Sequence, residues 1–177
     1  VVVQYWLLDI DRPQDALDLA RFAADEDYAR HIGNLNVLTY VIRHMDSNLG
    51  NFLVSTVPGD PHVWSVDNGV AFESEEGSRG KDWMEIRVPR LPREAIERLR
   101  GVSEAILQAH LGVLGQWEKV DRRLEPRPLG RNLSIGRGVR VRGRVVQLGL
   151  TRREIHRIYE RIETLLKRVD TGEIGLF

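Results

Sequence analysis

Hydrophobic and polar positions recur along the N-terminal part of the chain with the periods of strands and helices. Residues 1–8 are apolar and begin with β-branched side chains, which predicts a buried strand. Asp11 is then expected to cap a helix that carries an apolar stripe and ends near Gly33. Asn34 is expected to cap a second helix, and the acidic, glycine-containing loop that follows is expected to end it.

The middle of the chain shows a hairpin pattern followed by a helical one. Short β-rich runs at 52–57 and 62–66 flank the sequence Pro-Gly-Asp-Pro, which is typical of a turn between paired strands. Apolar residues between 91 and 114 recur at helical spacing, with a break expected at Gly101. We therefore expect a β-hairpin and then a broken helix.

The C-terminal part begins with a change of composition. Residues 126–150 are rich in Arg, Gly and Val and are interpreted as a basic hairpin, followed by a helix that Thr151 and Glu154 begin as a capping box. No repeat and no flexible linker divides the sequence. The prediction is a single α+β domain over residues 1–177, mostly helical, with two hairpins inserted.

Composition narrows the class of protein. The chain has 177 residues, of which 42% are hydrophobic and 29% charged, so it can build a core. It contains no cysteine, which excludes disulfides, thiolate zinc sites and cysteine nucleophiles. No apolar run reaches the ~20 residues needed to cross a bilayer, and no signal peptide is recognisable. We expect a cytoplasmic location.

The net charge of zero conceals two oppositely charged halves. Residues 1–89 hold 7 Lys/Arg and 15 Asp/Glu, whereas residues 90–177 hold 19 and 11. An acidic half suits metal ions or cationic groups, and a basic half suits phosphates. Two solvated faces that attract one another would explain the same asymmetry.

The residue types that carry chemistry are concentrated in one segment, HMDSNLGNFLVSTVPGDPHVWSVDNGVAF. It contains His44-x-Asp46, then Asn51, and beyond the hairpin Asp67-x-Gly69. Hard cations bound to a triphosphate prefer carboxylate and amide oxygens, and a further carboxylate must orient the attacking hydroxyl. A hairpin brings its two ends together, so Asn51 and Asp67 could bind the cation while Asp46 serves the hydroxyl.

This segment resembles the catalytic and metal-binding loops of the protein-kinase-like superfamily. The Asp67-Asn68-Gly69 form is similar to the atypical branches: phosphatidylinositol 3/4-kinase-like proteins, HipA-type kinases and Golgi secretory-pathway kinases. The resemblance, which covers residues 1–72, implies an ATP- and Mg-dependent phosphotransferase with a kinase-like C-terminal lobe. It implies that Asp46 is the catalytic aspartate and that Asn51 and Asp67 are magnesium ligands.

The same resemblance implies an adenine site on the first strand. Residues 1–8 would match the hinge strand, in which the backbone of Gln4, Tyr5 and Trp6 contacts the base.

The sequence also departs from the kinase pattern. Met45 replaces the usual arginine, which argues against control by a phosphorylated activation loop, and Asn48 stands where many protein kinases have a lysine. No glycine-rich loop with a following Ala-x-Lys is present, and all three lysines lie downstream of the catalytic segment. We therefore interpret the chain as the C-terminal lobe of a longer protein, whose missing N-terminal lobe would be its first partner.

Each motif also has a purely structural interpretation. Asp46 could cap a turn, Asn51 could hold a left-handed backbone conformation, and Asp67-Asn68-Gly69 could be an ordinary turn. His44 is expected to be a structural hydrogen-bonding residue. A pseudokinase or scaffold that uses the fold for binding is the alternative function.

The basic segment offers a third possibility. Arg140, Arg142 and Arg144 alternate with valines, which predicts a row of guanidinium groups on one strand face. The stretch Arg131–Arg144 could bind an acidic substrate, an anionic lipid or a nucleic acid, or could be a solvated face with no partner. The lack of aromatic residues among these arginines weakens the nucleic-acid version.

Overall fold

The computed structural model describes residues 8–11, 17–59, 61–72 and 82–177. It has a mixed α+β architecture with 42% helix and 20% strand, which confirms the predicted α+β class. The expected hinge strand lies outside the described residues apart from Leu8, and Gln4, Tyr5 and Trp6 lie outside them altogether.

The contacts divide the chain into two compact units. The first comprises Val1–Glu97 and Leu166–Phe177, and the second comprises Arg98–Leu165. The assignment of the whole chain to one kinase-like lobe stays a prediction.

The first unit contains two whole helices, most of a third, the C-terminal end of the last helix and two small sheets. Its elements are β1 (Ile10–Asp11), α1 (Leu19–Ala24), α2 (Glu26–Ile42), β2 (Phe52–Ser55), β3 (Val63–Ser65), β4 (Arg90–Leu91), most of α3 (Arg93–Arg100) and β9 (Gly175–Leu176). Strands β1, β2 and β3 form one antiparallel sheet in that order, and β4 pairs in parallel with β9. The antiparallel pairing of β2 with β3 confirms the predicted hairpin.

The predicted boundary between the first two helices was wrong. Helix α2 begins after Asp25, whose side chain accepts a hydrogen bond from the backbone of Tyr28, and it continues through Gly33 and Asn34. Gly33 does not end the helix but allows it to pack closely against Pro92, because a Cβ atom at this position would lie 2.7 Å from Cδ of Pro92. Such close approach is one of the reasons that a helix interior retains glycine.

A buried polar side chain joins α2 to the segment before β4. Asn36 is fully buried, donates from Nδ2 to the carbonyl of Glu85 at 2.8 Å, and accepts at Oδ1 from the backbone of Arg87 and Val88. A buried amide is stable only when its donors and acceptors are paired, and these contacts meet that requirement. Asn36 thereby fixes a segment that forms few regular backbone hydrogen bonds.

The second unit is built around a four-stranded sheet. Its elements are α4 (Glu104–Leu111), β5 (Gly115–Val120), β6 (Arg123–Pro126), β7 (Val139–Arg142), β8 (Val145–Leu148) and most of α5 (Arg152–Asp170). The strand order is β6-β5-β8-β7, antiparallel throughout. The basic hairpin exists as β7 and β8, but the sequence did not reveal that β5 and β6 extend it into a sheet.

The predicted helix break at Gly101 and the predicted helix start at Thr151 are both confirmed. Helix α3 ends at Arg100, next to the break expected at Gly101, and Ser103 caps α4 by accepting from the backbone of Ile106. Thr151 and Glu154 form the expected reciprocal capping box at the start of α5. The apolar stripe of α5 is buried at Ile155, Ile158, Ile162 and Leu165.

The predicted orientation of β7 was wrong. Arg140 is 2% exposed, whereas Val139 and Val141 point to the exposed side of the strand. The Arg140 guanidinium donates to the carbonyls of Gly112, Leu150 and Arg137, the last two at 2.8 and 2.6 Å. Because a buried guanidinium needs several acceptors, these backbone carbonyls fix the strand with its arginine inward. Arg140 is therefore part of the structure and not of an exposed guanidinium row.

Candidate active site

The loop that carries Asp46 is attached to the segment that follows the hairpin. Helix α2 ends at Ile42 with Arg43 in the left-handed region, and the backbone N–H of His44 donates to Thr39. Two further backbone hydrogen bonds cross to the later segment, from Met45 to the carbonyl of Val70 at 3.0 Å and from Phe72 to that of Ile42 at 2.7 Å. The turn that contains Asp67 is thus joined to the loop that contains Asp46.

The hairpin makes a second connection between the same regions. The ladder pairs Phe52 with Ser65, and one step beyond it the backbone N–H of Val66 donates to the carbonyl of Asn51 at 2.9 Å. Asp67 follows Val66 directly, so Asn51 and Asp67 lie at the same end of the hairpin. This is the juxtaposition that the turn chemistry predicted.

The side chain of Asn51 closes the loop onto Asp46. Its Nδ2 donates to the backbone carbonyl of Asp46 at 2.7 Å. The amide group has donors on one side and an acceptor oxygen on the other, so this contact leaves Oδ1 as the group available to a cation. Asn51 is half-buried, which limits its side chain to few positions.

Asn48, which the sequence marked only as a departure, also touches Asp46. Its Nδ2 lies 2.6 Å from Oδ1 of Asp46, and its own Oδ1 accepts from the backbone of Gly50 at 2.8 Å. A Cβ atom on Gly50 would lie 2.9 Å from that Asn48 oxygen, which is closer than such contacts normally allow. The Asn-x-Gly sequence was the available signal for this turn. One carboxylate oxygen of Asp46 is therefore held by an amide.

Asp67 has a conformation that a turn residue adopts at some cost. Its φ and ψ are 54° and 47°, in the left-handed region that favours glycine, asparagine and aspartate. The carboxylate is exposed and makes no capping hydrogen bond to the short helical turn Asn68–Val70 that follows. The side chain of Asn68 instead binds the preceding strand, through Oγ and the carbonyl of Ser65.

The buried side chain of His44 holds the backbone of the loop that contains Asp46. It is fully buried, and its Nδ1 accepts the backbone N–H of Asp46 at 3.3 Å. Its Nε2 is buried without a hydrogen-bond partner among the described residues. The contact at Nδ1 agrees with the structural role expected for His44.

An open cavity of about 540 Å³ adjoins this loop. It is lined by Ile10, Asp11, Gly50, Leu53 and Val66. Leu53 lies two residues after Asn51, and Val66 immediately precedes Asp67, so apolar side chains stand next to the proposed cation ligands. Sequence reasoning missed these wall residues because an isolated leucine or valine in a hairpin is normally a core residue.

The donor set fits a cation that is shared with phosphates. Among the described residues, no group of three or more His, Cys, Asp or Glu side chains could hold a metal ion by itself. Magnesium in nucleotide sites is usually bound by one or two protein oxygens, with phosphate oxygens and water completing its octahedron. Asn51 and Asp67 would supply two protein oxygens of this kind from the same end of the hairpin.

Comparison with known proteins adds no support for the resemblance to kinases, which rests only on the residues and contacts described above. No family model matches the sequence, and no curated protein or solved structure is significantly similar to the chain. Within the described residues, none of the helices has the length and apolar character required to span a membrane.

Proposed function

We propose that this chain is the catalytic lobe of an ATP- and Mg-dependent phosphotransferase of the atypical kinase type. The observation that carries the proposal is the double backbone connection, Met45 to Val70 and Asn51 to Val66, which links the Asp46 loop to the Asp67 turn. The oxygen-bearing side chains of Asp46 and Asn51 are thereby attached to the same small region as that of Asp67, which lies beyond the hairpin.

The proposed cation ligands are the Asn51 amide oxygen and the Asp67 carboxylate. Magnesium, when bound, would neutralise charge on the phosphate oxygens and orient the terminal phosphoryl group. The hydrogen bond from Asn51 to the Asp46 carbonyl sets which way the amide oxygen points. The exposed Asp67 carboxylate, held in the left-handed conformation, supplies the second ligand.

Asp46 is the proposed base and orienting group. The acceptor hydroxyl oxygen forms a bond to the γ-phosphorus, the bond from that phosphorus to the bridging oxygen of ADP breaks, and the hydroxyl proton passes to the Asp46 carboxylate. Asn48 binds one oxygen of this carboxylate, which leaves the other for the hydroxyl. His44 and Asn51 act as positioning residues, because both bind the backbone of Asp46.

The apolar cavity is the proposed seat of the nucleotide base. Ligand pockets are typically lined by apolar side chains with a few polar groups that fix orientation. Leu53 and Val66 would contact one face of the base while Asn51 and Asp67 bind the phosphates through the metal. Gln4, Tyr5 and Trp6, the adenine contacts implied by the resemblance, stay part of this proposal.

The experiment is phosphate transfer by the natural full-length protein, measured as ADP formation from Mg-ATP. The full-length protein is required because these 177 residues contain no glycine-rich loop with a following Ala-x-Lys. Asp46→Ala and Asp67→Ala should each lower turnover by about a hundredfold or more. Asp121→Ala is the matched control, since Asp121 is exposed in the turn between β5 and β6. Undiminished turnover in Asp46→Ala would refute the assignment.

A nucleotide-binding pseudokinase or scaffold is the second candidate. The observation that favours it is the 2.6 Å contact between Asn48 and Asp46, because that amide occupies an oxygen a base could use. A scaffold would bind nucleotide without forming ADP, and Asp46→Ala would leave that binding unchanged. Measuring binding and ADP formation on the same samples separates the two functions.

A further inference from the structure

The four-stranded sheet of the second unit has an apolar side and a polar side. Residues opposite each other in an antiparallel pair point to the same side, so the register assigns every side chain to a face. One face carries Trp117, Leu124, Val139, Val141, Val146 and Leu148. We call these six residues the apolar sheet face.

This face is directed outward. Leu124, Val139, Val141 and Leu148 are 53%, 62%, 58% and 46% exposed, respectively. Ordinary antiparallel sheets bury their apolar face and expose their polar one. A contiguous group of exposed apolar side chains on a folded domain usually marks a binding surface.

The opposite face is polar and is buried around Arg140 and Gln147. Arg140 and Gln147 are almost fully buried there, and Gln147 donates to Gln116 at 2.7 Å and to the carbonyl of Arg131 at 3.0 Å. Gln147 also accepts from the backbone of Leu133. Because Gln147 is paired with the backbone of Arg131 and Leu133, and Arg140 with backbone carbonyls of the same unit, reversing the sheet to bury its valines would break all of these hydrogen bonds. The outward direction of the apolar face is therefore built into the unit.

Cationic side chains lie at one end of this face. The β5–β6 and β7–β8 turns are adjacent, because the backbone of Lys119 donates to the carbonyl of Arg144 at 2.8 Å. Lys119 is exposed and, opposite Leu124, belongs to the apolar side, while Arg122 and Arg144 are exposed in or beside the two turns. Three acids occur nearby: Asp121 in the same turn, and Glu118 and Glu125 opposite each other on the polar face. Arg127 binds both glutamates, and Arg144 binds Glu118. At this end the exposed cations Lys119, Arg122 and Arg144 outnumber the one exposed acid, Asp121.

We propose that the apolar sheet face docks on an anionic lipid surface. Aliphatic side chains would enter the boundary between headgroups and acyl chains, and Trp117 is of the type enriched at that depth. The cations at the turns would bind anionic headgroups. Charge complementarity selects this occupant: a second copy would bring like charges together. The exposed side chains of the face are aliphatic and its one ring, Trp117, is half-buried, which gives the bases of a nucleic acid little to stack on. The proposal does not depend on phosphoryl transfer.

The test is cosedimentation of the chain with vesicles of phosphatidylserine and phosphatidylcholine, and with vesicles of phosphatidylcholine alone. Binding should occur to the anionic vesicles and weaken with salt. The double variant Val139→Ser/Val141→Ser should lower the partition coefficient about tenfold, and Lys119→Gln/Arg122→Gln roughly fivefold per charge. The matched controls are Val57→Ser, an exposed valine of the first unit, and Arg153→Gln, an exposed cation of α5.

Folding and specificity are controlled in the same experiment. Apart from half-buried Trp117, the substituted residues are exposed, and circular dichroism verifies that each variant is folded. The fluorescence of Trp117 should shift to the blue on binding, and Trp117→Phe should remove that shift. No binding to anionic vesicles, or equal loss in the control variants, would overturn the proposal. Binding to a polynucleotide or to polyglutamate that needs the cations but not the valines would overturn it as well.

Discussion

The side-chain amide of Asn51 donates a 2.7 Å hydrogen bond to the backbone carbonyl of Asp46, five residues earlier in the chain. This bond closes the loop that follows α2 at the point where the hairpin begins. Asn51 thus positions the proposed base through its Nδ2, and its amide oxygen takes no part in this hydrogen bond. The separation of five residues is short enough for the motif to be visible in the sequence.

Asn51→Ala should weaken both folding and catalysis. Loss of the hydrogen bond to Asp46 should lower the free energy of unfolding by about 1 kcal/mol, as measured by urea denaturation. In the full-length protein the variant should also need more magnesium for half-maximal turnover, because one proposed ligand is gone. Asn34→Ala, exposed on α2, is the control and should leave stability unchanged or slightly higher. An unchanged magnesium requirement in Asn51→Ala would contradict the ligand role.

Asp25 should give the start of α2 a pH-dependent stability. The backbone N–H of Tyr28 donates to its carboxylate and holds the pKa of Asp25 below its ordinary value of 3.8. A carboxyl group with a lowered folded-state pKa stabilises the fold above its unfolded pKa, and this stabilisation is lost as pH falls through the folded pKa.

The measurement compares wild type with Asp25→Ala in urea at several pH values. At neutral pH the variant should be about 1 kcal/mol less stable, since an N-cap is lost. The difference should shrink as the pH falls below 3.8. Asp25→Asn keeps a capping oxygen without titrating in this range and should show a smaller difference at neutral pH. A difference that does not vary with pH would show that the carboxylate charge has no part in the cap.

Gly33→Ala should destabilise the protein although it lies inside a helix. Alanine in a helix interior is ordinarily favoured over glycine by about 1 kcal/mol. Here the added Cβ would lie 2.7 Å from Cδ of Pro92, and overpacking of this kind costs about 1–3 kcal/mol. We expect a net loss in urea denaturation. Gly136→Ala has open space around its Cβ and should be nearly neutral; a more stable Gly33→Ala would show that the α2–Pro92 contact is loose.

Arg140→Met should cost far more than Arg142→Met. Arg140 is buried with three backbone carbonyls, and burial lowers the pKa of its guanidinium from the ordinary value. Removing the donors takes this partner from the Arg137 and Leu150 carbonyls, whereas Gly112 keeps a hydrogen bond from Asn132; the cost should be about 2–3 kcal/mol in the free energy of unfolding. Arg142 is exposed on the same strand, so its replacement should change stability by under about 0.5 kcal/mol. Equal effects of the two substitutions would contradict the inward orientation of Arg140.

Local chemistry explains what the sequence predicted correctly. The hairpin after Asn51 follows from its turn residues, and the start of α5 follows from the capping box at Thr151 and Glu154, whose partners are all within three residues. The loop between α2 and β2 was likewise readable from Gly50 and its asparagines. Each of these signals is complete within a short stretch of chain.

Tertiary contacts explain the errors. Gly33 was expected to end a helix because its partner, Pro92, is distant in sequence and gives no local signal. The orientation of β7 was predicted from the usual exposure of Arg and burial of Val. The carbonyls of Gly112 and Leu150 accept hydrogen bonds from the Arg140 guanidinium, so the arginine is buried and the neighbouring valines are exposed. An alternating pattern gives the two faces of a strand but does not say which one is buried.

The most direct test of the shared site uses the paramagnetic ion Mn²⁺ with a non-hydrolysable ATP analogue, observed by NMR of the full-length protein. Mn²⁺ replaces Mg²⁺ on oxygen ligands and broadens the signals of nuclei close to it. We predict that the amides of Asp46, Asn51 and Asp67 broaden together and that Asp67→Ala abolishes the effect. Broadening confined to other parts of the chain, or an undiminished effect in Asp67→Ala, would contradict a common nucleotide–metal site at the end of the hairpin.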